Sequence, residues 1–462
     1  MLKLKFTLQD LFDLPGAEIY NPDGYKNTGS VSIDSRNVKK NSIFVAIEGE
    51  NFDGHKFVSG ARENGASTFI INKNKLTDYD DVEAVFIAVN DTTEALGDLA
   101  NAWRKKINAK VISITGSAGK TTTKEMLAVL LSEKFSTKKT IKNNNNHFGV
   151  PLTILSADVE DEVLILEHGT NHFGEIEYTT KIAQPDFALI TNIGSSHLEF
   201  LKDLDGVCEE KSALFKIADE SGGLLIVNND DPRLVKVSKT YREKVTYGFK
   251  GQPDIKGKIK GFSKDGKPSI EVKTDDKIFS VELPVYGKAN VKNFLAAAAA
   301  ALQLGMNEDE IINGAKKIKQ VDKRLYVTKF KNFVLIDDTY NSNPESLKNA
   351  LELTKKIKIH KKKIAVLGDM FELGKRSAEI HEGLADVILD NKIDEIYLTG
   401  SKMKFLNKEL QKYKIKSKYF SNREKLSEFI GQKDFSESIV LVKGSRGMKM
   451  EEFADKIKEA AE

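Results

Sequence analysis

The sequence predicts an α/β protein of three domains, and three observations support this prediction. Its 462 residues exceed one ordinary core and correspond to about three domains of roughly 150 residues each. Short apolar segments rich in β-branched residues alternate with helical segments along most of the chain. The rhythm of these segments changes near residues 88 and 319, so we expect domains over residues 1–88, 89–318 and 319–462.

The first predicted domain is a small mixed α/β unit. Four segments have the composition of short strands: VSIDSR, SIFVAI, STFIIN and AVFIAV. A helical pattern, HKFVSGARENG, stands between the second and third of them. A longer helix, TTEALGDLANAWRKKI, then leads into the second domain.

The second predicted domain repeats a strand, a turn and a helix. Four apolar runs are typical of strands in a buried parallel sheet: KVISITG, VLILE, FALITNI and GLLIVN. Between residues 244 and 286 the segments KVTYGF, KIKGFSKDGKPSIEV and KIFSVELPV carry turn glycines, which predicts a small antiparallel sheet. Two helices follow, NVKNFLAAAAAALQLG and NEDEIINGAKKI.

The third predicted domain alternates strands and helices again. Its strand segments are FVLIDD, KIAVLGD, EIYLTG, KYFSN and SIVLVKG. This order predicts a Rossmann-like, doubly wound C-terminal domain.

Composition excludes several classes of protein. The 71 Lys and Arg residues and 68 Asp and Glu residues nearly cancel to a net charge of +3, which argues against a dedicated nucleic-acid binder. Cys208 is the single cysteine, so an internal disulfide or a thiolate zinc site cannot form. No apolar run approaches the roughly 20 residues of a membrane span, and the first residues lack the apolar core of an export signal. We therefore expect a cytoplasmic protein.

The segment TGSAGKTT, residues 115–122, predicts a phosphate loop. A run of β-branched residues precedes four small residues, and a helix is expected to begin near Lys120. Backbone N–H groups at such a helix start cradle phosphate, while Lys120 would reach the β- and γ-phosphates and Thr121 would bind Mg²⁺. The alternative is a glycine-rich turn that carries a lysine by chance. The predicted nucleotide contacts are Gly116, Ser117, Ala118, Gly119, Lys120, Thr121 and Thr122.

The loop is shorter than the usual phosphate loop, and in this form it resembles that of the Mur ligase family. These are ATP-dependent amide-forming enzymes that extend the peptidoglycan precursor. Further motifs occur in family order, so the resemblance covers essentially the whole chain. It implies a first domain that binds the UDP-linked substrate, a central ATPase domain and a C-terminal ligase domain.

Glu167 and His197 are the predicted metal ligands of the central domain. Each follows a predicted strand, so both should face the crevice at the carboxyl edge of the sheet, where they can bind a divalent ion. Taken alone, His197 would more often be a structural histidine. The resemblance implies two Mg²⁺ ions, and it implies that Lys211 reacts with CO₂ to form a carbamate that binds the second one. Glu210 replaces the family's usual Ala beside it, and a plain surface lysine is the alternative.

Three other segments of the central domain are expected at the crevice. The Asn-rich turn NNNNHFGVPLTIL offers Asn144 or Asn145 to the substrate, or it is a loop without a ligand. The resemblance implies that Asn290 or Asn293 pairs with adenine, although Asn290 would equally serve as a helix cap. The resemblance also implies that Arg324 contacts the γ-phosphate; the alternative is a salt bridge at the junction of the second and third domains.

The C-terminal domain begins with VLIDDTYNSNPESL, which resembles the D-alanyl-D-alanine-adding branch of the family. Asp338 ends a predicted strand, where a carboxylate can take a ribose hydroxyl or an ammonium. Tyr340 and Asn341 are expected to contact substrate, and Asn343 is expected to cap a helix that starts at Pro344. Two further cations suit carboxylate-bearing substrates: Lys443 and Arg446.

In the first domain, Ser35, Arg36 and His55 resemble the family's uridine-diphosphate site. The resemblance as a whole implies an enzyme that joins D-Ala-D-Ala to UDP-N-acetylmuramoyl-tripeptide through an acyl phosphate, with Lys120, His197 and Lys211 in catalytic roles. A sister ligase that adds the third amino acid, a folylpolyglutamate synthase-like ligase and a catalytically silent nucleotide-binding regulator are the alternatives. We expect a monomer, and the third peptide residue stays open between lysine and diaminopimelate.

Overall fold

A computed structural model of the chain describes residues 6–26, 30–49, 52–413 and 415–460. Residues 1–5 of the first predicted domain and residues 461–462 of the third lie outside the described residues, and so do the predictions that cover them. Within them, three sheets follow one another along the chain, which confirms the α/β fold class. The domain boundaries themselves stay predictions.

The first sheet has five strands in the order β1-β7-β6-β3-β2, and only β1 runs antiparallel to its neighbour. A separate pair, β4 and β5, forms a small hairpin. The elements are β1 Glu18–Tyr20, β2 Val31–Ser32, β3 Ser42–Val45, β4 Glu48–Gly49, β5 Phe52–Asp53, β6 Ala66–Asn72, β7 Val85–Val89, α1 Leu8–Phe12, α2 Val58–Glu63 and α3 Thr92–Lys106.

The central sheet has nine strands in the order β16-β15-β14-β13-β12-β11-β8-β10-β9. Its strands are β8 Lys110–Thr115, β9 Thr137–Lys139, β10 Val163–Glu167, β11 Phe187–Ile190, β12 Leu224–Asn228, β13 Lys244–Gly248, β14 Ile255–Phe262, β15 Pro268–Lys273 and β16 Ile278–Glu282. Its helices are α4 Lys120–Leu131, α5 Gly149–Leu155, α6 Glu175–Ala183, α7 Leu198–Leu201, α8 Leu204–Glu220, α9 Pro232–Val237, α10 Gly287–Gln303 and α11 Glu308–Lys317.

The predicted antiparallel sheet differs from the observed one in two respects. Strand β13, which we expected in it, pairs parallel with both β12 and β14. Strands β14, β15 and β16 are antiparallel to one another, but they continue the central sheet and do not form a separate one. Helix α10 packs across this junction, where its alanine-rich face joins the apolar core of the central sheet.

The third sheet has six strands in the order β17-β18-β22-β19-β20-β21, of which only β17 is antiparallel. Its strands are β17 Tyr326–Lys329, β18 Val334–Asp338, β19 Lys362–Gly368, β20 Glu395–Thr399, β21 Lys416–Phe420 and β22 Ser438–Lys443. Its helices are α12 Pro344–Lys356, α13 Ser377–Glu382, α14 Leu384–Asp390, α15 Met403–Lys412, α16 Arg423–Gln432 and α17 Glu451–Glu459.

Apolar cores connect the three sheets. One core contains residues of the first sheet, helix α3 and the central strands β8 and β10. Another contains Leu198 and Leu201 of the central helix α7 together with the core of the third sheet. In the part of the chain that the structure describes, no helix is both long and apolar enough to cross a membrane.

A neutral histidine lies in the core beneath the cleft. His168 is fully buried, with Nδ1 2.9 Å from Thr179 Oγ1 and Nε2 2.8 Å from Ser113 Oγ. Burial lowers the pKa of the ring to about 3, because a charged imidazole would lose its hydration there. The folded protein therefore keeps this ring uncharged at neutral pH.

This burial predicts an acid-sensitive stability. The unfolded chain takes up a proton at His168 when the pH falls below a pKa of about 6.5, and the folded chain does not. The contribution of His168 to the free energy of unfolding is therefore fully present above that pH and is lost as the pH falls below it. Between pH 7 and pH 5 we expect this residue to remove about 2 kcal/mol from the free energy of unfolding. Urea titrations followed by the fluorescence of Trp103, the single tryptophan, measure the change.

The variant His168→Gln should lose this part of the pH dependence, while His172→Gln, which alters an exposed ring, should keep it. Equal pH dependence in wild type and His168→Gln would contradict the assignment.

Candidate active site

One cleft of about 870 Å³ lies at the carboxyl ends of the central and third sheets. Most of the predicted site residues line it: Ser117, Ala118, Gly119, Lys120, Thr121, Thr122, Asn145, Glu167, His197, Asn290, Asn293, Arg324, Asp338, Tyr340, Asn341, Lys443 and Arg446. Six predicted residues are absent from its lining: Gly116, Asn144, Lys211, Ser35, Arg36 and His55.

The phosphate loop is held in a conformation that requires its glycines. Gly116 and Gly119 have φ of +142° and +88°, which strains other residues. A Cβ at Gly116 would also lie 2.0 Å from Thr191 Oγ1, and one at Gly119 would lie 2.4 Å from Asn293 Oδ1. Close packing on both sides therefore fixes the path of the loop into helix α4.

Lys120 closes over this loop. Its Nζ donates to the carbonyl oxygen of Gly116 at 2.7 Å. Burial lowers the pKa of the ammonium, the charge of Glu167 opposes that effect, and Arg324 adds to it. Two cations and one carboxylate thus meet where a polyphosphate would add negative charge.

Glu167 is a buried carboxylate whose two oxygens have different partners. Its Oε1 accepts hydrogen bonds from Thr121 Oγ1 at 3.0 Å and Asn145 Nδ2 at 2.9 Å. Among the described residues, nothing donates a hydrogen bond to its buried Oε2. A carboxylate beside a threonine hydroxyl suits Mg²⁺, which is usually held by one or two carboxylates plus substrate phosphates. This part of the site fits the metal, although no group of three or more His, Cys, Asp or Glu side chains that could hold an ion alone occurs in the described ranges.

Lys124 is a site residue that the sequence reasoning missed. Its fully buried ammonium lies 3.3 Å from Glu167 Oε2 and 3.3 Å from Glu125 Oε1. It also donates to the carbonyl oxygen of Lys142 at 3.2 Å, at the start of the Asn-rich turn. The available signal was its spacing of four residues from Lys120, which places both lysines on one face of helix α4.

His197 lies at the cleft, directly before helix α7. Its Nδ1 is 2.6 Å from Glu372 Oε2 of the third domain, without the alignment of a full hydrogen bond. The ring lowers the pKa of Glu372, and burial opposes this effect. No motif of the sequence predicted this contact between His197 and Glu372.

Lys211 is buried in helix α8 and is not the plain surface lysine of the alternative. Burial, together with the charge of Lys120, holds its pKa well below the usual value, while Glu210 opposes this shift. Lys211 forms no hydrogen bond or ion pair with the residues that the structure describes. The lowered pKa favours the uncharged amine, which is the form in which a lysine reacts to form a carbamate.

The departure at Glu210 has a structural explanation. Its carboxylate accepts hydrogen bonds from Thr170 Oγ1, Gly174 N and Ile176 N at 3.0, 2.7 and 2.8 Å. These contacts satisfy backbone donors at the start of helix α6. Glu210 thus fixes the segment after β10 beside the cleft.

The Asn-rich turn and helix α10 contribute amides to the cleft. Asn145 lines it, whereas Asn144 lies exposed and supplies the backbone against which Gly149 packs. Asn290 is the fourth residue of α10, and its Nδ2 donates to Tyr286 O at 2.9 Å. The alternative that Asn290 caps this helix is therefore wrong, because Tyr286 occupies the capping position.

The third domain brings two cationic groups to the cleft. The guanidinium carbon of Arg324 lies 3.8 Å from the centre of the Tyr340 ring, a stacking contact and not the salt bridge of the alternative. Lys443 Nζ is 2.5 Å from Asp338 Oδ2 and donates to Asn341 O at 2.8 Å. Lys443 thus orders the segment after β18.

Asn343 joins the third domain to the phosphate loop. It caps helix α12 as predicted, with Oδ1 accepting from Ser346 N at 2.8 Å. Capping does not use its Nδ2, which donates to Ser117 O at 3.2 Å. Beside it, Ser195 N donates to Glu345 Oε1 at 3.0 Å. The start of helix α12 therefore contacts both the phosphate loop and the loop that carries His197.

The three predicted residues of the first domain lie away from this cleft. Arg36 is exposed and pairs with Asp34, whose pKa it lowers to about 2. His55 is buried, with Nδ1 2.7 Å from Asp53 Oδ1 and with Nε2 accepting from Asn72 N at 3.0 Å. Both ring nitrogens of His55 are thus occupied, which argues against a hydrogen bond from this ring to the uracil base of a uridine diphosphate. The roles of Ser35 and Arg36 toward a uridine diphosphate stay predictions.

Known proteins resemble the chain over its whole length. Residues 28–104 match the "Mur ligase family, catalytic domain", residues 114–301 the "Mur ligase middle domain", and residues 323–446 the "Mur ligase, glutamate ligase domain". UDP-N-acetylmuramoyl-tripeptide–D-alanyl-D-alanine ligase of Bacillus subtilis is 33% identical over 454 residues, which are 97% of each chain.

Two crystal structures resemble the fold. MurF from Acinetobacter baumannii has a TM-score of 0.89 at 30% identity and covers 99% of both chains. MurF ligase from Thermotoga maritima in complex with ADP has a TM-score of 0.82 at 31% identity, over 94% of this chain and 97% of that one.

The pair of Lys124 and Glu167 predicts a large effect on stability. Lys124→Met leaves the buried carboxylate without its cation, so we expect a loss of about 3–5 kcal/mol in the free energy of unfolding. The double variant Lys124→Met/Glu167→Gln removes both charges and should recover most of that loss. Urea unfolding followed by Trp103 fluorescence measures both.

The matched control is Lys181→Met, which removes one partner of an exposed pair with Glu177. It should change stability by less than about 1 kcal/mol. A double variant that is no more stable than Lys124→Met would contradict the pairing.

Proposed function

Since this chain belongs to the Mur ligase family, we propose that it is the ligase that uses ATP to join D-Ala-D-Ala to UDP-N-acetylmuramoyl-tripeptide. Relatives that align with nearly the whole chain carry this activity in their names. The observation that carries the proposal is the shared cleft, in which a phosphate loop faces Arg324, Tyr340 and Asn341 of the third domain. ATP and both peptide substrates must meet in one such space.

The proposed reaction has two steps. An oxygen of the tripeptide's terminal carboxylate attacks the γ-phosphorus of ATP, the bond to ADP breaks, and an acyl phosphate forms. The amine of D-Ala-D-Ala then attacks the acyl carbon, phosphate leaves, and the nitrogen releases a proton as the amide forms. The protein contributes position and charge, because phosphoryl transfer of this kind needs no side-chain nucleophile.

The residues of the cleft divide these tasks. Lys120 and the loop amides bind the β- and γ-phosphates, and Arg324 neutralises charge on the γ-phosphate. Asn290 and Asn293 face the adenine. Asp338 binds the ribose, or it orders the residues around Asp338 itself. Tyr340, Asn341 and Arg446 lie on the third domain's side of the cleft, where the carboxylate-bearing substrates are expected.

Mg²⁺ is part of the proposal. Glu167 and His197, with the hydroxyl of Thr121, would hold a divalent ion, and a carbamylated Lys211 would supply a carboxylate to a second one. When bound, these ions neutralise the phosphate oxygens. The monomeric state and the cytoplasmic location, where ATP and the UDP-linked precursor are available, belong to the same proposal.

The test is an amine panel. The purified protein is incubated with ATP, Mg²⁺ and UDP-N-acetylmuramoyl-tripeptide, carrying lysine or diaminopimelate, and with D-Ala-D-Ala or single amino acids. We expect phosphate release and a product of the correct mass with D-Ala-D-Ala. Product with UDP-N-acetylmuramoyl-dipeptide and a single amino acid would identify a sister ligase instead. ATP binding without turnover of any precursor would identify a silent nucleotide-binding protein.

Lys120→Ala should reduce kcat by about a hundred- to a thousand-fold, because it removes a preorganised charge from the transferred phosphate. Steady-state phosphate release measures the loss, and Lys181→Ala, at an exposed position, serves as control. Unchanged turnover by a folded Lys120→Ala variant would refute the assigned phosphate site.

Lys211→Ala should also be nearly inactive if the lysine acts as a carbamate. Short carboxylates such as acetate or formate should then restore part of the activity, because they replace the missing carboxylate. A variant that keeps full activity, or one that carboxylates fail to rescue, would count against the carbamate.

A further inference from the structure

Glu372 and His197 meet across the boundary between the central and third domains. Their Oε2 and Nδ1 atoms are 2.6 Å apart, and both side chains line the cleft. Both residues have positive φ, +54° for His197 and +61° for Glu372. Non-glycine residues rarely adopt this conformation, and such strain concentrates at functional sites. Two strained residues therefore face each other at the cleft.

The segment directly before Glu372 is anchored at three consecutive residues. Met370 N donates to His381 Nε2 at 3.1 Å, and Phe371 N donates to Ser445 Oγ at 2.8 Å. Asp369 accepts hydrogen bonds from Lys402 N and Met403 N at the start of helix α15. These contacts hold the backbone that leads to Glu372 against the third domain.

The segment after His197 is held by the same loop. Glu199 N donates to Glu372 O at 3.0 Å. Leu198 and Leu201 of helix α7 pack with Met370 and Leu373 in the core of the third domain. The third domain, lying against the central one, thus supports the segment that follows His197 and also supplies the partner of its ring.

A carboxylate at one ring nitrogen determines which nitrogen faces a metal. Metal-binding histidines usually donate their other N–H to such a group, which fixes the tautomer and the ring orientation. Hydrogen bonds of this type are often poorly aligned before ligands bind and tighten in the complex. The Nδ1 contact seen here has the distance but not the alignment of such a bond.

We propose that Glu372 is a positioning residue for His197. Its carboxylate accepts a hydrogen bond from Nδ1–H of His197, and this directs Nε2 toward a divalent cation in the cleft. Because Glu372 belongs to the third domain, this ligand is oriented only when that domain is docked. The inference rests on the metal role of His197 in the proposed function.

The test compares Glu372→Ala and Glu372→Gln with wild type. The control is Glu379→Gln, which changes an exposed carboxylate of the same domain that pairs with Arg376. Binding of Mn²⁺ in the presence of saturating ADP is measured by the electron paramagnetic resonance of the free ion. We expect at least tenfold weaker binding for Glu372→Ala, a smaller loss for Glu372→Gln, which keeps an acceptor oxygen, and no change for Glu379→Gln.

A second readout reports the tautomer directly. The protein, with ADP and without metal, is labelled with ¹⁵N-histidine, and the His197 ring signals are assigned from their loss in His197→Asn. At a pH where the ring is neutral, wild type and Glu372→Gln should carry the proton on Nδ1, and Glu372→Ala should shift it to Nε2. A purely structural role of Glu372 would leave this distribution unchanged.

The inference is overturned if Glu372→Ala keeps both the tautomer and the Mn²⁺ affinity, if Glu379→Gln loses as much affinity, or if wild type binds no Mn²⁺ with ADP. Neither readout needs the peptide substrates. Absence of ligation by wild type, with the expected tautomer and Mn²⁺ results, would therefore refute the proposed substrates and leave this inference standing.

Discussion

The carboxylate of Glu167 lies in a place that water barely reaches, and much of the surrounding structure supplies it with polar and cationic partners. Thr121 and Asn145 donate to one of its oxygens, and Lys124 supplies the opposite charge near the other. An isolated charge at this depth would be strongly unfavourable, so these partners are a condition of the fold as well as of the site. They come from the phosphate-loop helix and the Asn-rich turn, and the carboxylate therefore ties both segments to the end of strand β10.

The same carboxylate constrains the phosphate loop. Helix α4 carries both Thr121 and Lys124, so its position relative to β10 is fixed by contacts at two successive turns. Gly116 and Gly119 then have to pass close to Thr191 and Asn293, where any side chain would collide. A short loop is sufficient because the helix start is held at the end of β10, which is the sheet neighbour of the preceding strand β8.

Local patterns predicted most of the fold and the parts of the site that lie next to one another in sequence. The strand before Gly116, the helix from Lys120 and the cap at Asn343 each depend on a few consecutive residues, and all three are observed. The prediction that β13 belongs to a small antiparallel sheet was wrong, because a short amphipathic strand has the same sequence pattern whether its neighbours run parallel or antiparallel.

Local sequence patterns could not predict the contacts between segments that are distant in sequence. Asn343 and Ser117 are 226 residues apart, and the cap explained Asn343 fully until the structure gave its Nδ2 a second partner. Glu372 likewise has a sufficient local interpretation as part of a loop. Lys124 is a different case. Its spacing from Lys120 can be read from the sequence, but only the structure shows that this spacing places its ammonium beside Glu167.

The contacts of Asn343, Glu345 and Glu372 share one property: each joins the third domain to a segment to which the proposed function assigns phosphate or metal binding. Asn343 reaches the phosphate loop, Glu345 reaches the loop that leads to His197, and Glu372 reaches His197 itself. An acyl phosphate reacts readily with water, so a ligase gains if its charged groups become correctly oriented only when the cleft is closed over its substrates. Under the proposed function, contacts of the third domain with the catalytic groups would supply that dependence, because opening the cleft would remove the partners that orient them.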